Sequence, residues 1–159
     1  MAELTLRPMT EAEFADFVAR SAENVAEHQV TAGIWPREGA IERGREEVAR
    51  GLPDGLRTKE MLLLTAMVGG EPIGLLWIGL THPRGTPATG FIYDIEVAEA
   101  HRGAGHGRAL LAAAEETVRS HGLKAITLNV HAHNTRAVHL YETSGYRVVT
   151  QQMTKDLTA

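Results

Sequence analysis

Cysteine is absent from these 159 residues. That removes disulfides, thiol nucleophiles and thiolate-bound zinc together, and it fits a cytoplasmic location. Long apolar runs are missing too. None reaches the roughly 18–20 residues that a membrane-spanning helix needs, so no membrane partner is expected. Met1-Ala2-Glu3-Leu4 carries neither a basic region nor an apolar stretch, so no secretory signal is expected there. Nor is there an excess of positive charge. Against 20 Asp and Glu stand 16 Lys and Arg, a formal net charge of -4, and no basic field invites nucleic acid. What remains is ordinary: 43% hydrophobic and 23% charged residues suit a globular domain with a real core. With no repeat, low-complexity run or linker, a single domain over 1–159 is expected.

The most informative stretch is Arg102-Gly103-Ala104-Gly105-His106-Gly107. It follows a strand-like run, Phe91-Ile92-Tyr93-Asp94-Ile95-Glu96-Val97, and opens a strong helix at Arg108-Ala109-Leu110-Leu111. A glycine turn there leaves backbone N–H groups unpaired at the positive end of a helix dipole. That is a ready anion site, and the glycines let a bulky pyrophosphate approach the backbone. The same glycines would also serve a plain strand-to-helix turn. A P-loop is excluded, because Gly107 is followed by Arg108-Ala109 rather than Lys-Ser/Thr. A dinucleotide fingerprint is excluded by the order of the glycines, by their late position, and by the next strand ending Leu128-Asn129-Val130-His131 with no acid for a ribose.

A second block, Asn134-Thr135-Arg136-Ala137-Val138-His139-Leu140-Tyr141-Glu142-Thr143-Ser144-Gly145-Tyr146, follows the apolar strand Ala125–Val130. Together the two blocks resemble the GNAT superfamily of acetyl-CoA-dependent N-acetyltransferases. That family's R/Q-x-x-G-x-G/A motif is matched from Arg102 to Gly107. Its N-x-x-A-x-x-L-Y-E-x-x-G-F/Y motif is matched from Asn134 to Tyr146. The resemblance covers about residues 60–157 well and the N-terminal part loosely.

Patterning supplies the elements. Leu4–Pro8 reads as a short strand, and Thr10-Glu11-Ala12-Glu13 as a capping box opening a helix with Phe14, Phe17 and Val18 on one face. A helix is expected at about 37–49. An antiparallel pair is expected at 61–68 and 73–80, joined through Gly69-Gly70. A strand at 91–97, a helix to Ser120, a strand at 124–131, a helix over 135–143 and a last strand over 146–155 complete the chain. The class is α+β: a mixed, mostly antiparallel sheet with helices on both faces. The resemblance implies that the strands at 91–97 and 124–131 are parallel and splay apart to admit the cofactor's pantetheine arm. It also divides the domain into an acceptor side, 1–58, and a sheet and cofactor core, 59–159.

Transfer of an acyl group from a thioester to an amine needs a base for the amine, donors for the oxyanion and a proton for the thiolate. The resemblance places the pyrophosphate of acetyl-CoA on Arg102, Gly103, Ala104, Gly105, His106, Gly107 and Arg108. It places the pantetheine and acetyl group on Ile95, Glu96 and Val97. It makes Asn134 a contact to the cofactor arm, although Asn is also a good helix cap before Thr135. Tyr141 takes the place of the family's general acid, with an amphipathic core tyrosine as the plain alternative. Asn129 stands where some members carry a catalytic acid, so the base falls to Glu96, with Asp94, His131 or a water as alternatives. His131 and His133 are expected on one strand face, but without cysteine, HExxH or a completing carboxylate no metal site is expected. The expected protein is therefore an N-acetyltransferase acting on a small-molecule or peptide amine. Glu23, Glu27, His28, Trp35 and the 81–89 loop wall its acceptor site. The rival reading is a non-catalytic CoA-binding sensor or assembly module. A homodimer through the exposed last strand is a further expectation.

Overall fold

The computed structural model describes residues 2–158. The two ends of the expected domain, Met1 and Ala159, lie outside the described residues. The elements run β1 (Leu4–Pro8), α1 (Glu11–Thr31), α2 (Ala40–Gly51), β2 (Met61–Val68), β3 (Glu71–Gly79), β4 (Thr89–Val97), α3 (His106–Ser120), β5 (Ala125–Leu128) and α4 (Thr135–Thr143). The strands form one sheet in the order β1-β2-β3-β4-β5. All neighbours are antiparallel except β4 and β5, which are parallel.

Sequence features set the boundaries. The capping box at α1 is complete: Thr10 Oγ1 accepts from Glu13 N at 3.1 Å, and Thr10 N donates to Glu13 Oε1 at 2.8 Å. Such a cap contributes about 1 kcal/mol. Arg7 on β1 grips the same carboxylate with both terminal nitrogens, at 2.7 and 3.0 Å, and so ties the helix start to the sheet. Helix α2 begins at Ala40, a turn later than expected, because Gly39 takes a left-handed conformation (φ 74°) and ends the preceding turn.

Both sheet faces are covered. On one, Leu110, Leu111, Ala114 and Val118 of α3 share a helical face and pack on Leu76, Ile78 and Ile92. On the other, Phe17 of α1 and Val48 of α2 pack on Leu63, Leu75 and Trp77. Phe17 meets Trp77 edge to face, with centroids 5.8 Å apart. Each such large side chain contributes roughly 1.5–3 kcal/mol when fully buried. The two helices on this face approach so closely at Gly44 that a Cβ there would overlap the Ala22 carbonyl oxygen.

Two sequence expectations are corrected. The strand expected at 124–131 stops at Leu128, and residues 129–131 join no ladder. Beyond Ile92, β4 diverges from its parallel neighbour, so those residues have nothing to pair with. The strand expected at 146–155 is absent: no residue from 146 to 158 belongs to a strand. Its residues have the right composition, but a strand exists only through a ladder, and no strand among the described residues pairs with them.

Candidate active site

The site forms where β4 and β5 part. They pair from Thr89↔Ala125 to Ile92↔Leu128 and no further, although β4 continues to Val97. The β5-facing edge of Tyr93–Val97 is therefore open, which is the splay expected between these strands. A bulge lies at the same level. Trp77 is opposite Asp94 and Ile78 is opposite Ile92, which leaves Tyr93 without a register partner. Bulges re-aim side chains next to functional clefts. Here Tyr93 stacks on Trp77 at 4.6 Å, and Ile95 and Val97 turn to the α3 face.

The glycine turn lies at the far end of β4. Gly105, left-handed at φ 81°, caps α3 and offers no side chain to its amides. Ala109 N donates to Gly105 O, so the amides of Gly105, His106, Gly107 and Arg108 precede the first helical bond. None of the amides from Gly103 to Arg108 reaches a backbone carbonyl. Two neighbouring arginines brace this turn. Arg102 Nε donates to Val97 O at 3.0 Å, which ties the turn to the end of β4. Arg108 reaches Ser144 Oγ and Thr143 Oγ1, both at 3.0 Å, and so links α3 to α4.

Helix α4 brings the second block to the cleft. Asn134 is its N-cap, and its Oδ1 accepts from Ala137 N at 3.3 Å. Tyr141 packs toward the core beside Tyr146, with ring centroids 5.8 Å apart. Burial, with a further push from the charge of Asp94, holds the Tyr141 hydroxyl above its ordinary range. It keeps its proton at neutral pH.

The two carboxylates of β4 differ in their surroundings. Glu96 lies 3.5 Å from Arg20 of α1, an ion pair in which the acid is the more enclosed partner. Asp94 is pushed up to about 7, first by burial and then by the charge of Glu96. Arg20, the Ile95 amide and the Ser21 hydroxyl work against that shift. Sequence reasoning missed Arg20 and Ser21. Ser21 had a legible signal: a hydroxyl four residues after Phe17, on the buried stripe of α1, where it is itself buried.

Three histidines gather just past the end of β5. They come from α1 and from the turn after β5, not from one strand face as the sequence suggested, because the strand has already ended. His28 Nδ1 and His133 Nε2 are 3.0 Å apart, and His131 Nε2 donates to Gln29 Oε1 at 3.0 Å. His28 stacks on His131 and on His133, each at 5.2 Å between centroids, and His131 and His133 lie tilted to one another at 5.4 Å. No group suited to hold a metal ion is found among the described residues. Of the other residues expected to wall the acceptor site, Glu27 is engaged by Arg37 at 3.3 Å, and Trp35 N donates to Gln29 O at 3.2 Å. No helix among the described residues is long and apolar enough to cross a membrane.

An open parallel splay beside a glycine-capped helix is the α+β arrangement that the sequence resemblance implies. The chain belongs to the acetyltransferase (GNAT) family, whose pattern it matches over residues 24–146. It is similar to the uncharacterised N-acetyltransferases YycN and YdgE of Bacillus subtilis (strain 168). They are 34% and 32% identical over 97% and 96% of this chain, and over 99% and 98% of their own lengths. The crystal structure of YycN superposes with a TM-score of 0.92, at 32% identity over 98% of this chain and 99% of that one. The PaiA N-acetyltransferase of Thermoplasma acidophilum, solved in complex with coenzyme A, shares the fold. Its TM-score is 0.68, at 18% identity over 94% of this chain and 93% of that one. The protein is an acyltransferase, as its family and named relatives are.

Proposed function

We propose that the protein moves an acetyl group from acetyl-CoA to a primary amine by direct attack within a ternary complex. The observation that carries this is the run of unpaired amides from Gly103 to Arg108 at one end of an open splay that has Tyr141 and Asp94 at the other. The pyrophosphate lies on those amides and on the N-terminal dipole of α3. Each charge-assisted bond contributes about 1.5–3 kcal/mol. The pantetheine runs along the open edge of Ile95, Glu96 and Val97, past Asn134, and so directs the thioester toward Tyr141.

The amine nitrogen forms its bond to the thioester carbonyl carbon, and the carbon–sulfur bond breaks. The proton leaving nitrogen passes to Asp94, directly or through water. The thiolate takes a proton from Tyr141. Glu96, the base suggested by sequence, is committed to Arg20 and acts by raising Asp94. Asp94, titrating near neutrality, is the carboxylate that can both accept and release a proton at working pH. The acceptor is a small-molecule or peptide amine that enters from the α1 side. There Arg20, His28 and the 81–89 loop wall the approach.

Because the protein has no thiol of its own, release of CoA thiol can be followed directly. With acetyl-CoA and a broad panel of amines, free thiol should appear in proportion to acetylated amine. Tight CoA binding without turnover on any amine, peptide or antibiotic would overturn this reading.

A further inference from the structure

The bulge in β4 also decides what stands beside Asp94. Ile92, Ile95 and Val97 all pack on the α3 face, so the extra residue between them sends both Tyr93 and Asp94 to the opposite face. There Asp94 meets Arg20 and Ser21 of α1, and Tyr93 joins the cluster of Phe17, Leu75 and Trp77. In a regular strand these two neighbours would point apart. The bulge sets an aromatic ring next to a buried carboxylate.

The ring is firmly seated. Tyr93 stacks on Trp77 with 18° between the planes, and its centroid is 4.8 Å from that of Phe91. On β3 the recess that takes the ring is Gly79, where a Cβ would meet Tyr93 Cε2 at 2.7 Å and Met61 Sδ at 3.5 Å. The row continues from Phe91 to His82 of the 81–89 loop, edge to face at 5.4 Å. Trp77 and Phe91 are buried, whereas Tyr93 is only partly covered, so Tyr93 is the surface that this row presents. Burial holds its hydroxyl above the ordinary range, and the wall is uncharged at neutral pH.

The charges on this side select in the same direction. Glu13, Glu27 and Glu96 are each engaged by an arginine, namely Arg7, Arg37 and Arg20. Asp16 and Glu23 of α1 are exposed. Asp94 apart, the α1 side offers no free enclosed carboxylate among the described residues to hold a second ammonium. An acceptor with several cations would leave them unmatched against an apolar wall.

We propose that Tyr93 determines acceptor specificity, and that the acceptor is a primary amine carried on an apolar aryl or alkyl body. The amino group reaches Asp94 while the adjoining carbon skeleton lies against the Tyr93 ring. This rests on the acetyl transfer proposed above and names its substrate class.

2-Phenylethylamine, ethylamine, spermidine and kanamycin are compared as acceptors by thiol release, and 2-phenylethylamine is titrated calorimetrically into the CoA-bound protein. The wild type should favour 2-phenylethylamine over ethylamine at least about tenfold in kcat/KM, the lower end of what one apolar group gains in a hydrophobic pocket. It should favour it over spermidine and kanamycin as well. Tyr93→Leu should raise the KM and the dissociation constant for 2-phenylethylamine about tenfold and leave CoA affinity unchanged, whereas Tyr93→Phe restores the ring and with it the preference. Should Tyr93→Leu fail to fold, the selectivity of the wild type decides. Binding of 2-phenylethylamine that depends on Tyr93, without turnover of any amine, would strike the proposed reaction and leave this pocket standing. Turnover that favours spermidine or kanamycin, or that ignores the phenyl group, would overturn the pocket and leave the reaction. Folded Tyr93→Leu with unaltered 2-phenylethylamine binding would overturn it too, as would a wild type that does not bind this amine.

Discussion

His28 Nδ1 and His133 Nε2 lie 3.0 Å apart, although they are 105 residues apart in the chain. One nitrogen must donate and the other accept, so the contact requires at least one neutral ring. Burial, followed by neighbouring imidazole charge, lowers His28 and His131 below the ordinary value of 6.5, and Glu27 only partly opposes this at His28. The native state therefore sheds protons that the unfolded chain binds. The stability in question is present above about pH 6.5 and is lost as the pH falls through the lowered native values. The melting temperature should decline from pH 7 to pH 5, and less steeply in His133→Gln or His28→Gln. Parallel slopes in the variants and the wild type would dissociate the cluster from acid sensitivity.

Gly44→Ala should destabilise the protein. In an open helix the change would gain about 0.5–1 kcal/mol. Here the methyl group meets the Ala22 carbonyl oxygen, backbone that cannot rotate away. A cost of about 1–3 kcal/mol is expected, a drop of roughly 2–4 °C in Tm per kcal/mol. Thermal unfolding measures it, and a higher Tm would contradict the close packing of α1 and α2.

Gly107→Val should weaken CoA binding at least about tenfold, the loss of one charge-assisted amide contact. The position suits the test because a Cβ there meets only Leu140 Cδ2, at 3.6 Å, in ordinary contact. Gly105→Val is less clean, since its left-handed backbone would be strained by any side chain. Calorimetry on folded Gly107→Val decides. Unchanged affinity would remove the pyrophosphate from this turn.

Much of this was legible in the sequence, for identifiable reasons. The glycine turn, the capping box at Thr10 and the cap at Asn134 are local devices, written in adjacent residues, and the structure holds each where it was expected. The splay follows from family resemblance rather than from periodicity. What escaped was tertiary. Nothing near Glu96 announces Arg20, which arrives on another element, and no pattern tells that burial pushes Asp94 up. The last strand failed for the same reason in reverse: Val148-Val149-Thr150 has the propensity, but pairing depends on a neighbour that the pattern cannot supply.

Tyr141→Phe removes a hydroxyl and keeps the ring that packs toward the core. Loss of general-acid assistance costs on the order of 10²–10⁴ in rate. The expected result is a lower kcat with little change in acetyl-CoA affinity, seen in steady-state kinetics alongside direct binding. An unchanged kcat in pre-steady-state chemistry would leave Tyr141 a packing residue.

The pH profile of kcat/KM across the Asp94 environment tests the account most directly. The wild type should show a limb that rises with pH around 7, the value to which Asp94 is pushed. Below it the acid is protonated and cannot take the proton from the amine. Glu96→Gln removes the charge that raises Asp94, so the limb should move to lower pH. Arg20→Gln removes the charge that lowers it, so the limb should move to higher pH. Asp94→Asn should abolish the limb, with a rate loss on the order of 10²–10⁴. Opposite shifts in the two neighbours and loss of the limb in Asp94→Asn are what the account requires. A limb that survives Asp94→Asn and vanishes in Glu96→Gln or in His131→Gln would contradict it.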